Sequence, residues 1–422
     1  MPAIRSLPAL LVALPLATAL PTGQAGAQDC TIPFGLPLFA VHAEMDIPYG
    51  TATRYNGGTA QLALDLFKPV GDGQTERPLV VLVHGGGFTG GSRADLHDLG
   101  NSLASMGWAA ATVSYRLGFY GTGILEPPYA YDPAEVRRAI YRSMQDVKGA
   151  VRFLKGRSGQ DSTSTTSVFL VGFSAGAIAS LTAGYMDLPA EKPASCGAIG
   201  DVQHFFNFHP RPDLGDVDGD IAQNGHDATV MGVAGIFGAM GDTAWFNGTV
   251  DPALYTYHQT GDPIVGCGLQ RPYWGIGLGV PDNYPYLHGS CSIDAHVQQI
   301  GHAPGRYAFH QHPGDAHDVH DPVAVMLEAA LWMRDLFCAM PTDVAEGTGP
   351  VPVLRPNPVR GRLFVDHIGD GPMPWRITDA QGREVRAGVH HQGGIDVEGL
   401  APGTYHLHRA AGTRVGRFVV AQ

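Results

Sequence analysis

The sequence predicts an α/β fold, a mostly parallel sheet with helices on both faces, followed by a small C-terminal β-sandwich. Continuous apolar runs such as 79–83 and 168–171 indicate strands that are buried on both faces. Helical stretches alternate with these runs, which is the pattern of a parallel sheet. After residue 350, short alternating runs separated by turn residues are typical of a β-sandwich.

Length and composition narrow the class of protein. The chain has 422 residues, 44% of them hydrophobic and 16% charged, so we expect a globular protein of two domains. The formal net charge is −12, and lysine and arginine are not clustered. A phosphate backbone selects for such clusters, so the composition argues against a nucleic-acid partner.

Residues 1–27 are predicted to be a signal peptide. Arg5 precedes an apolar stretch from Leu7 to Leu20, and Ala25-Gly26-Ala27 supplies a cleavage site. That stretch is too short and too interrupted by proline to span a membrane, and no other segment is long enough, so no transmembrane segment is expected. The mature chain would start at Gln28 and is expected to be secreted or held at the cell surface.

Five cysteines follow the predicted signal peptide. An exported chain meets an oxidising compartment, in which disulfides form. Cys267 with Cys291 is the first candidate pair because both lie in one loop-rich region, and Cys30 with Cys338 would tie the mature N-terminus to the last helix of the α/β domain. The connectivity does not follow from the sequence, and an odd count that includes Cys196 leaves at least one thiol over in a monomer.

Each element follows from its local pattern. Residues 60–67 alternate apolar and polar side chains and predict an early antiparallel strand. Asp132-Pro133 supplies an N-cap and a proline at the first helical position, so a long helix begins there. Further strands are expected at 79–83, at 108–115, from Val168, and at 231–238, 252–258 and 307–310, with helices at 96–106 and 322–340.

The strand from Val168 leads into Gly172-Phe173-Ser174-Ala175-Gly176 and then into a run of small residues, which indicates strand, sharp turn and helix. The glycines let strand and helix approach closely, and the turn exposes the serine hydroxyl at its tip. We therefore predict that Ser174 is a nucleophile. The alternative is a glycine-rich turn with a capping serine.

A nucleophilic serine needs a base to remove its proton, and the base needs a carboxylate to orient it. Asp262 and His317 each follow a predicted strand. Along the chain the three residues occur in the order serine, aspartate, histidine, which is the order expected for this fold, so we predict Asp262 as the acid and His317 as the base. Asp242 and His320 are the second candidates. A metal site on the histidines of 310–320 is disfavoured because their spacing is not His-x-x-x-His with a glutamate.

The loop His84-Gly85-Gly86-Gly87 follows the strand at 79–83. Gly86 and Gly87 can turn their backbone N–H groups towards an anion because they lack Cβ, and Ala175 follows the nucleophile. We predict that these three residues form an oxyanion hole and that His84 has a structural role under the loop. The alternative is an ordinary flexible turn.

The chain resembles the α/β-hydrolase family, and within it the carboxylesterase and lipase-like members, in four motifs: His84-Gly85-Gly86-Gly87-Phe88, Gly172-Phe173-Ser174-Ala175-Gly176, Gly261-Asp262 and Gly314-x-x-His317. The resemblance covers residues 46–340 and implies a catalytic domain over residues 28–340. It implies no particular substrate. Relatives are often shorter or differently spaced after Asp262, so residues 265–293 are expected to form a wall or lid over the pocket.

The tail, residues 351–422, resembles the C-terminal sorting domain of type IX secretion in Arg355-Pro356-Asn357-Pro358, Ile377-Thr378-Asp379-x-x-Gly382, Leu400-x-x-Gly403-x-Tyr405 and Phe418-Val419-Val420. The resemblance implies that the type IX secretion machinery is a partner. Residues 341–350, rich in small residues and proline, are expected to be a linker. The alternative is a generic carbohydrate- or protein-binding β-sandwich.

An acidic stretch from Asp213 to Asp220 has aspartates at spacings that resemble a calcium loop. However, Ile221 occupies the position of the EF-hand glycine, and Asp227 stands where a glutamate would close the loop. A solvated acidic loop is therefore favoured, and no metal is predicted.

These patterns predict a secreted serine hydrolase that cleaves carboxylic ester bonds through a covalent acyl-enzyme. Ser174 would attack the ester, His317 would relay the proton, and Asp262 would orient His317, with no cofactor. One alternative is a serine peptidase of the same fold, which the absence of a large N-terminal β-propeller disfavours. The other is a catalytically silent binding protein at the cell surface.

Overall fold

A computed structural model describes residues 30–121, 129–246, 251–277, 279–338, 353–355, 358–366, 373–379, 383–390, 394–409 and 414–421. The predicted signal peptide and the linker at 341–350 lie outside the described residues. In the ranges that are described, no helix combines the length and the apolar character of a membrane span.

The part of the chain up to Cys338 alternates strands with helices. Its strands are β1 (Ala40–Thr53), β2 (Thr59–Val70), β3 (Arg77–Val83), β4 (Ala109–Val113), β5 (Thr163–Phe173), β6 (Ile199–His204), β7 (Asn207–Arg211), β8 (Gly232–Ile236), β9 (Ala239–Met240), β10 (Ala253–Gln259), β11 (Leu269–Gln270), β12 (Leu287–Gly289) and β13 (Tyr307–His312). Its α-helices are α1 (His97–Ser105), α2 (Pro133–Gly156), α3 (Ser158–Asp161), α4 (Ala175–Tyr185), α5 (Ser290–Ile300) and α6 (Pro322–Cys338). Short 3-10 helices span Arg93–Leu96, Pro189–Glu191, Ala194–Cys196, Thr243–Trp245 and Val280–Asn283.

Eight of these strands form the central sheet, in the order β1-β2-β4-β3-β5-β8-β10-β13. β1 pairs antiparallel with β2, and β2 pairs antiparallel with β4. The pairs from β4 through β3, β5, β8 and β10 to β13 are all parallel. The predicted fold class, a mostly parallel sheet with helices, is confirmed.

Helices cover both faces of the sheet, as the side chains of β3 show. Leu79, Val81 and Val83 belong to a core that includes residues of α2 and α4, whereas Val80 and Leu82 belong to a second core with residues of α1 and α6. All five are fully buried, and each buried side chain of this size contributes about 1.5–3 kcal/mol. The strand therefore has no solvent face, which explains its unbroken apolar run.

The long helix α2 begins as the sequence predicts. The side chain of Asp132 is the N-cap and accepts a hydrogen bond from the backbone N–H of Ala134 at 2.8 Å, with Pro133 as the first helical residue. Such a cap satisfies a backbone donor that has no partner inside the helix and contributes about 1 kcal/mol. The helix then packs against α4 beneath the serine turn.

Both candidate cysteine pairs are bonded. Cys267 joins Cys291, and Cys30 joins Cys338 at the end of α6. Cys196 is the thiol left over among the described residues, and it is buried. Burial raises the pKa of the Cys196 thiol to about 11, so the thiol is protonated at neutral pH.

The C-terminal strands form two small antiparallel sheets, β14-β15-β18 and β17-β16-β19-β20. Side chains from both sheets, including Leu363, Ile377 and Phe418, share one buried core that is separate from those of the large sheet. The expected small β-sandwich is present. Its strands are β14 (Val353–Arg355), β15 (Arg362–Asp366), β16 (Met373–Asp379), β17 (Glu384–His390), β18 (Ile395–Asp396), β19 (Gly403–Arg409) and β20 (Arg414–Val420).

The acidic stretch from Asp213 to Asp220 pairs with lysines. Asp213 lies 2.6 Å from Lys192 Nζ, and Asp218 lies 3.2 Å from Lys148 Nζ. Across the described ranges, no three His, Cys, Asp or Glu side chains are grouped as metal ligands would be.

Candidate active site

Ser174 lies at the sharp turn between β5 and α4. Its φ of 54° and ψ of −120° are rare for a residue with a side chain and cost about 1–3 kcal/mol. The backbone N–H of Ser174 donates to the Ile236 carbonyl at 3.0 Å and holds the turn against β8. A Cβ at Gly176 would collide with the carbonyl oxygens of Val83 and His84, so only glycine lets α4 start this close to β3.

The structure brings Asp262 and His317 to this serine. Asp262 follows β10, and His317 lies in the loop between β13 and α6. His317 Nε2 is 2.8 Å from Ser174 Oγ, and His317 Nδ1 is 2.7 Å from Asp262 Oδ2. A carboxylate can only accept, so Nδ1 carries the proton and Nε2 is free to accept from the serine hydroxyl. This is the arrangement that a general base requires.

Asp262 is fully buried and held by backbone groups. Its Oδ1 accepts from the N–H groups of Ile264 at 2.8 Å and Val265 at 3.0 Å. Burial alone would raise the pKa of Asp262, but hydrogen bonds from His258, His317 and the Ile264 N–H outweigh burial and lower it. The carboxylate is therefore ionised at neutral pH and can stabilise a protonated His317.

A second histidine, His258, lies beneath Asp262. It is fully buried, and its Nε2 lies 2.7 Å from the Val265 carbonyl and 3.5 Å from Asp262 Oδ2. Its Nδ1 lies 3.0 Å from Ser290 Oγ. Because a carbonyl only accepts, His258 Nε2 carries the hydrogen. His258 can therefore donate towards Asp262, but it cannot take over the role of the carboxylate beside His317. Sequence reasoning missed this residue, although its place in the strand leading to Asp262 was a usable signal.

The second candidates make other contacts. Asp242 accepts from the Ala244 N–H at 2.9 Å and caps a 3-10 helix. His320 stacks on His312 with ring centroids 3.8 Å apart, and its Nδ1 lies 3.0 Å from Tyr257 Oη. The geometry therefore favours Asp262 and His317, whose catalytic roles stay predictions.

The glycine loop and the first turn of α4 border the serine. Gly86 and Gly87 have φ values of 114° and 59°, in the region that favours glycine. Within the described chain, no backbone carbonyl accepts a hydrogen bond from either residue. Ala175 is the first residue of α4, where backbone N–H groups have no partner inside the helix. All three N–H groups can serve an oxyanion, and this role also stays a prediction.

His84 lies under the glycine loop. Its Nδ1 is 2.7 Å from the Gly85 carbonyl, and its ring stacks on Tyr115 at 4.4 Å between centroids. Tyr115 donates its hydroxyl to the His84 carbonyl at 2.9 Å. Burial lowers the pKa of His84, so its ring is neutral at physiological pH. These contacts suit the structural role that the sequence predicts for His84.

An apolar pocket of about 580 Å³ opens beside Ser174. The ring of Phe237 packs on His317 with centroids 4.7 Å apart. The segment after Asp262 supplies one wall of the pocket, as expected for residues 265–293. The wall residues from this segment and its immediate start are Ile264, Val265, Pro272, Tyr273, Tyr284 and Leu287.

A comparison with protein families bears on the first half of the chain. The model of the BD-FAE family, an α/β-hydrolase-like esterase family, matches residues 64–208, which include the glycine loop and Ser174. The matched range is about a third of the chain. The matched range ends before Asp262 and His317, so it carries no information on the acid and base. A search of curated proteins found no match.

Several solved structures are similar to this chain at low identity. A truncated carbohydrate esterase from gut microbiota has 13% identity and a TM-score of 0.41, over 71% of this chain and 98% of that one. A bifunctional GH43-CE protein of Bacteroides eggerthii has 16% identity and a TM-score of 0.44, over 69% of this chain and 35% of that one. The propionate-bound esterase Est2 of Thermogutta terrifontis has 16% identity and a TM-score of 0.40, over 69% and 93%. Scores this low carry no inference about activity.

Proposed function

We propose that this protein is a secreted serine hydrolase that cleaves carboxylic ester bonds through a covalent acyl-enzyme. The observation that carries the proposal is the hydrogen-bonded chain from Ser174 through His317 to Asp262. The BD-FAE match over residues 64–208 supports ester hydrolysis. The pocket beside Ser174 is lined mostly by apolar side chains, which suits an uncharged acyl group.

Acylation begins when Ser174 Oγ bonds to the carbonyl carbon and its proton passes to His317 Nε2. The electron pair of the C=O bond moves to oxygen, and the N–H groups of Gly86, Gly87 and Ala175 stabilise this charge by about 3 kcal/mol per donor. When the intermediate collapses, the C–O bond to the alcohol breaks. The alcohol leaves with the proton that His317 returns.

Deacylation follows the same path with water. His317 Nε2 takes a proton from water as the water oxygen bonds to the acyl carbon. The Ser174 ester bond then breaks as His317 returns this proton to Ser174 Oγ. Asp262 remains ionised throughout and stabilises His317 while it is positively charged. The products are the acid and the free enzyme, and no redox partner is needed.

The C-terminal sandwich completes the proposal as an export signal for type IX secretion. Two motif residues have structural roles that suit a compact signal domain. Asp379 accepts from the Arg383 N–H at 3.0 Å and fastens the β16–β17 turn. Tyr405 donates its hydroxyl to the Ala401 carbonyl at 2.8 Å, within the Leu400-x-x-Gly403-x-Tyr405 motif. The disulfides are what an oxidising compartment outside the cytoplasm permits.

The decisive experiment compares substrates on the purified full chain. We expect p-nitrophenyl acetate and butyrate to be cleaved with a burst of nitrophenol, and a fluorophosphonate to label Ser174, whereas Ser174→Ala does neither. Faster cleavage of aminoacyl nitroanilides would indicate the peptidase instead. The absence of both a nitrophenol burst and labelling of Ser174 would favour the catalytically silent binding protein.

Export is tested separately in a host that has the type IX secretion machinery. Deletion of residues 351–422 is expected to keep the protein inside the cell envelope while its ester-cleaving activity persists. Export that continues without this tail would contradict the assignment of the tail.

A further inference from the structure

The segment after Asp262 places a tyrosine against the glycine loop. A Cβ built on Gly87 would lie 2.8 Å from Tyr273 Oη, so the hydroxyl lies beside the backbone whose N–H is a predicted oxyanion donor. Tyr273, Gly87 and Ser174 line the same pocket. The hydroxyl therefore lies in the region that a bound ester would occupy.

The hydroxyl of Tyr273 differs from the other hydroxyl groups of the pocket wall. Thr89 donates to the Gly86 carbonyl, and Tyr284 Oη accepts from the Ala130 N–H at 3.2 Å. Within the described part of the chain, Tyr273 Oη has no protein partner at hydrogen-bond distance. The Tyr273 hydroxyl faces the open pocket and is not sealed in the interior, so it is available to bond to a molecule that binds there.

The backbone of Tyr273 is strained and firmly held. Its φ of 63° lies in the left-handed region, which bulky residues rarely adopt. Its N–H donates to the Ile264 carbonyl at 2.7 Å, and its ring packs edge-to-face on Tyr129 and Tyr284 with centroids 5.2 and 5.0 Å apart. Trp274 Nε1 donates to the Asp262 carbonyl at 2.6 Å and ties the segment to the acid. Strain that the surroundings enforce in this way is concentrated at functional sites.

We infer that Tyr273 is a further catalytic residue, whose O–H donates a hydrogen bond to the ester carbonyl oxygen as that oxygen becomes negative. The inference rests on the proposed function. As Ser174 Oγ bonds to the carbonyl carbon and the C=O electron pair moves to oxygen, Tyr273 keeps its proton and shares it with that oxygen beside Gly87. Burial, and then the neighbouring Tyr129, raise the pKa of Tyr273, so the phenol stays protonated at neutral pH.

The test is Tyr273→Phe in the full chain, which removes one oxygen and keeps the packed ring. Tyr286→Phe is the matched control, because Tyr286 belongs to the same segment, its side chain is largely exposed, and it does not line the pocket beside Ser174. We measure kcat and KM for p-nitrophenyl acetate per active site, counted by the nitrophenol burst. We also measure the inhibition constant of a trifluoromethyl ketone, which forms a tetrahedral adduct with a nucleophilic serine.

A donor that acts only in the transition state changes kcat and leaves substrate binding almost unchanged. We expect Tyr273→Phe to lower kcat about ten- to hundredfold, with KM within about twofold, and to weaken ketone binding by a similar factor. Tyr286→Phe is expected to change each quantity less than about threefold. The burst counts only folded enzyme, so partial misfolding does not imitate the effect.

Three results would overturn the inference while the proposed function stands. These are an active wild type with unchanged kcat in Tyr273→Phe, a change in KM alone, or an equal loss in Tyr286→Phe, which would indicate a general disturbance of the segment after Asp262. A wild type with neither burst nor serine labelling would overturn the proposed function as well.

Discussion

Replacement of Asp262 by asparagine tests the proton relay most directly. In the native structure, Oδ1 accepts from the N–H groups of Ile264 and Val265, and Oδ2 accepts from His317 Nδ1. The two backbone donors would keep the amide oxygen of the new side chain on their side, which turns the amide NH₂ towards His317. Nδ1 must then accept, so the hydrogen moves to Nε2, and Nε2 can no longer take the proton of Ser174.

The expected loss of kcat for Asp262→Asn is large. The N–H groups of Ile264 and Val265, which hold Asp262 in the native protein, would now orient the asparagine so that it stabilises the inactive tautomer of His317. We expect kcat to fall by about 10⁴, which corresponds to about 5 kcal/mol in the activation barrier. The assay is p-nitrophenyl acetate hydrolysis per folded molecule, with thermal unfolding measured in parallel. The double variant Ser174→Ala with Asp262→Asn should be no slower than Ser174→Ala alone, because the residues act as one unit.

Asp242→Asn is the matched control for that experiment. Asp242 caps a 3-10 helix through Ala244 and has no contact with His317, so its loss should change kcat less than about twofold. Retention of more than about a tenth of the wild-type kcat in Asp262→Asn would refute the tautomer argument. An equal loss of kcat in Asp242→Asn would contradict the assignment of Asp262 as the acid.

Three further variants extend these expectations. His317→Ala should lower kcat by about 10⁴ or more, and His320→Ala should lower it only a few-fold; similar losses would contradict the assigned base. The pKa of Asp262 is lower in the folded state than in the unfolded chain, where it is about 4. Ionised Asp262 therefore stabilises the native state at pH values above the unfolded pKa, and this stabilisation is lost as the pH falls through the folded pKa. The free energy of unfolding in urea should therefore fall more steeply from pH 6 into the acid range for wild type than for Asp262→Asn. Parallel pH dependences in the two proteins would refute this. Removing the Cys267–Cys291 bond, which closes 24 residues, should lower the free energy of unfolding by about 3 kcal/mol in urea, and no change would show that the loop is held by packing alone.

Local chemistry explains why part of the site was predictable. Ser174 is recognisable because a strand, two glycines and a small-residue helix must all be adjacent for the turn to form. Asp262 and His317 follow strands of one parallel sheet, and the ends of such strands lie along the same edge. Sheet geometry therefore brings these residues to one edge, and the loops after β10 and β13 set the hydrogen-bond distances.

Other features depend on contacts between distant segments, which leave no periodic signal. Tyr273 meets Gly87 only because a loop after β10 folds back over the glycine loop, and its positive φ has no sequence signature. Phe237 packs on His317 through a loop conformation of the same kind. The hairpin of β6 and β7 was not predicted either, since its residues lack the strict alternation of a half-buried strand.

The bond between Cys30 and Cys338 has a topological consequence. It closes the chain from the start of the described residues to the end of α6 into a ring, and the sandwich is joined to this ring by one stretch of polypeptide. A protease that cuts once inside the ring opens it without releasing a fragment until the bond is reduced. A cut after Cys338 frees the sandwich at once and leaves the ring that holds Ser174 unbroken. Gels run with and without reductant can therefore distinguish cleavage within the α/β domain from release of the C-terminal sandwich.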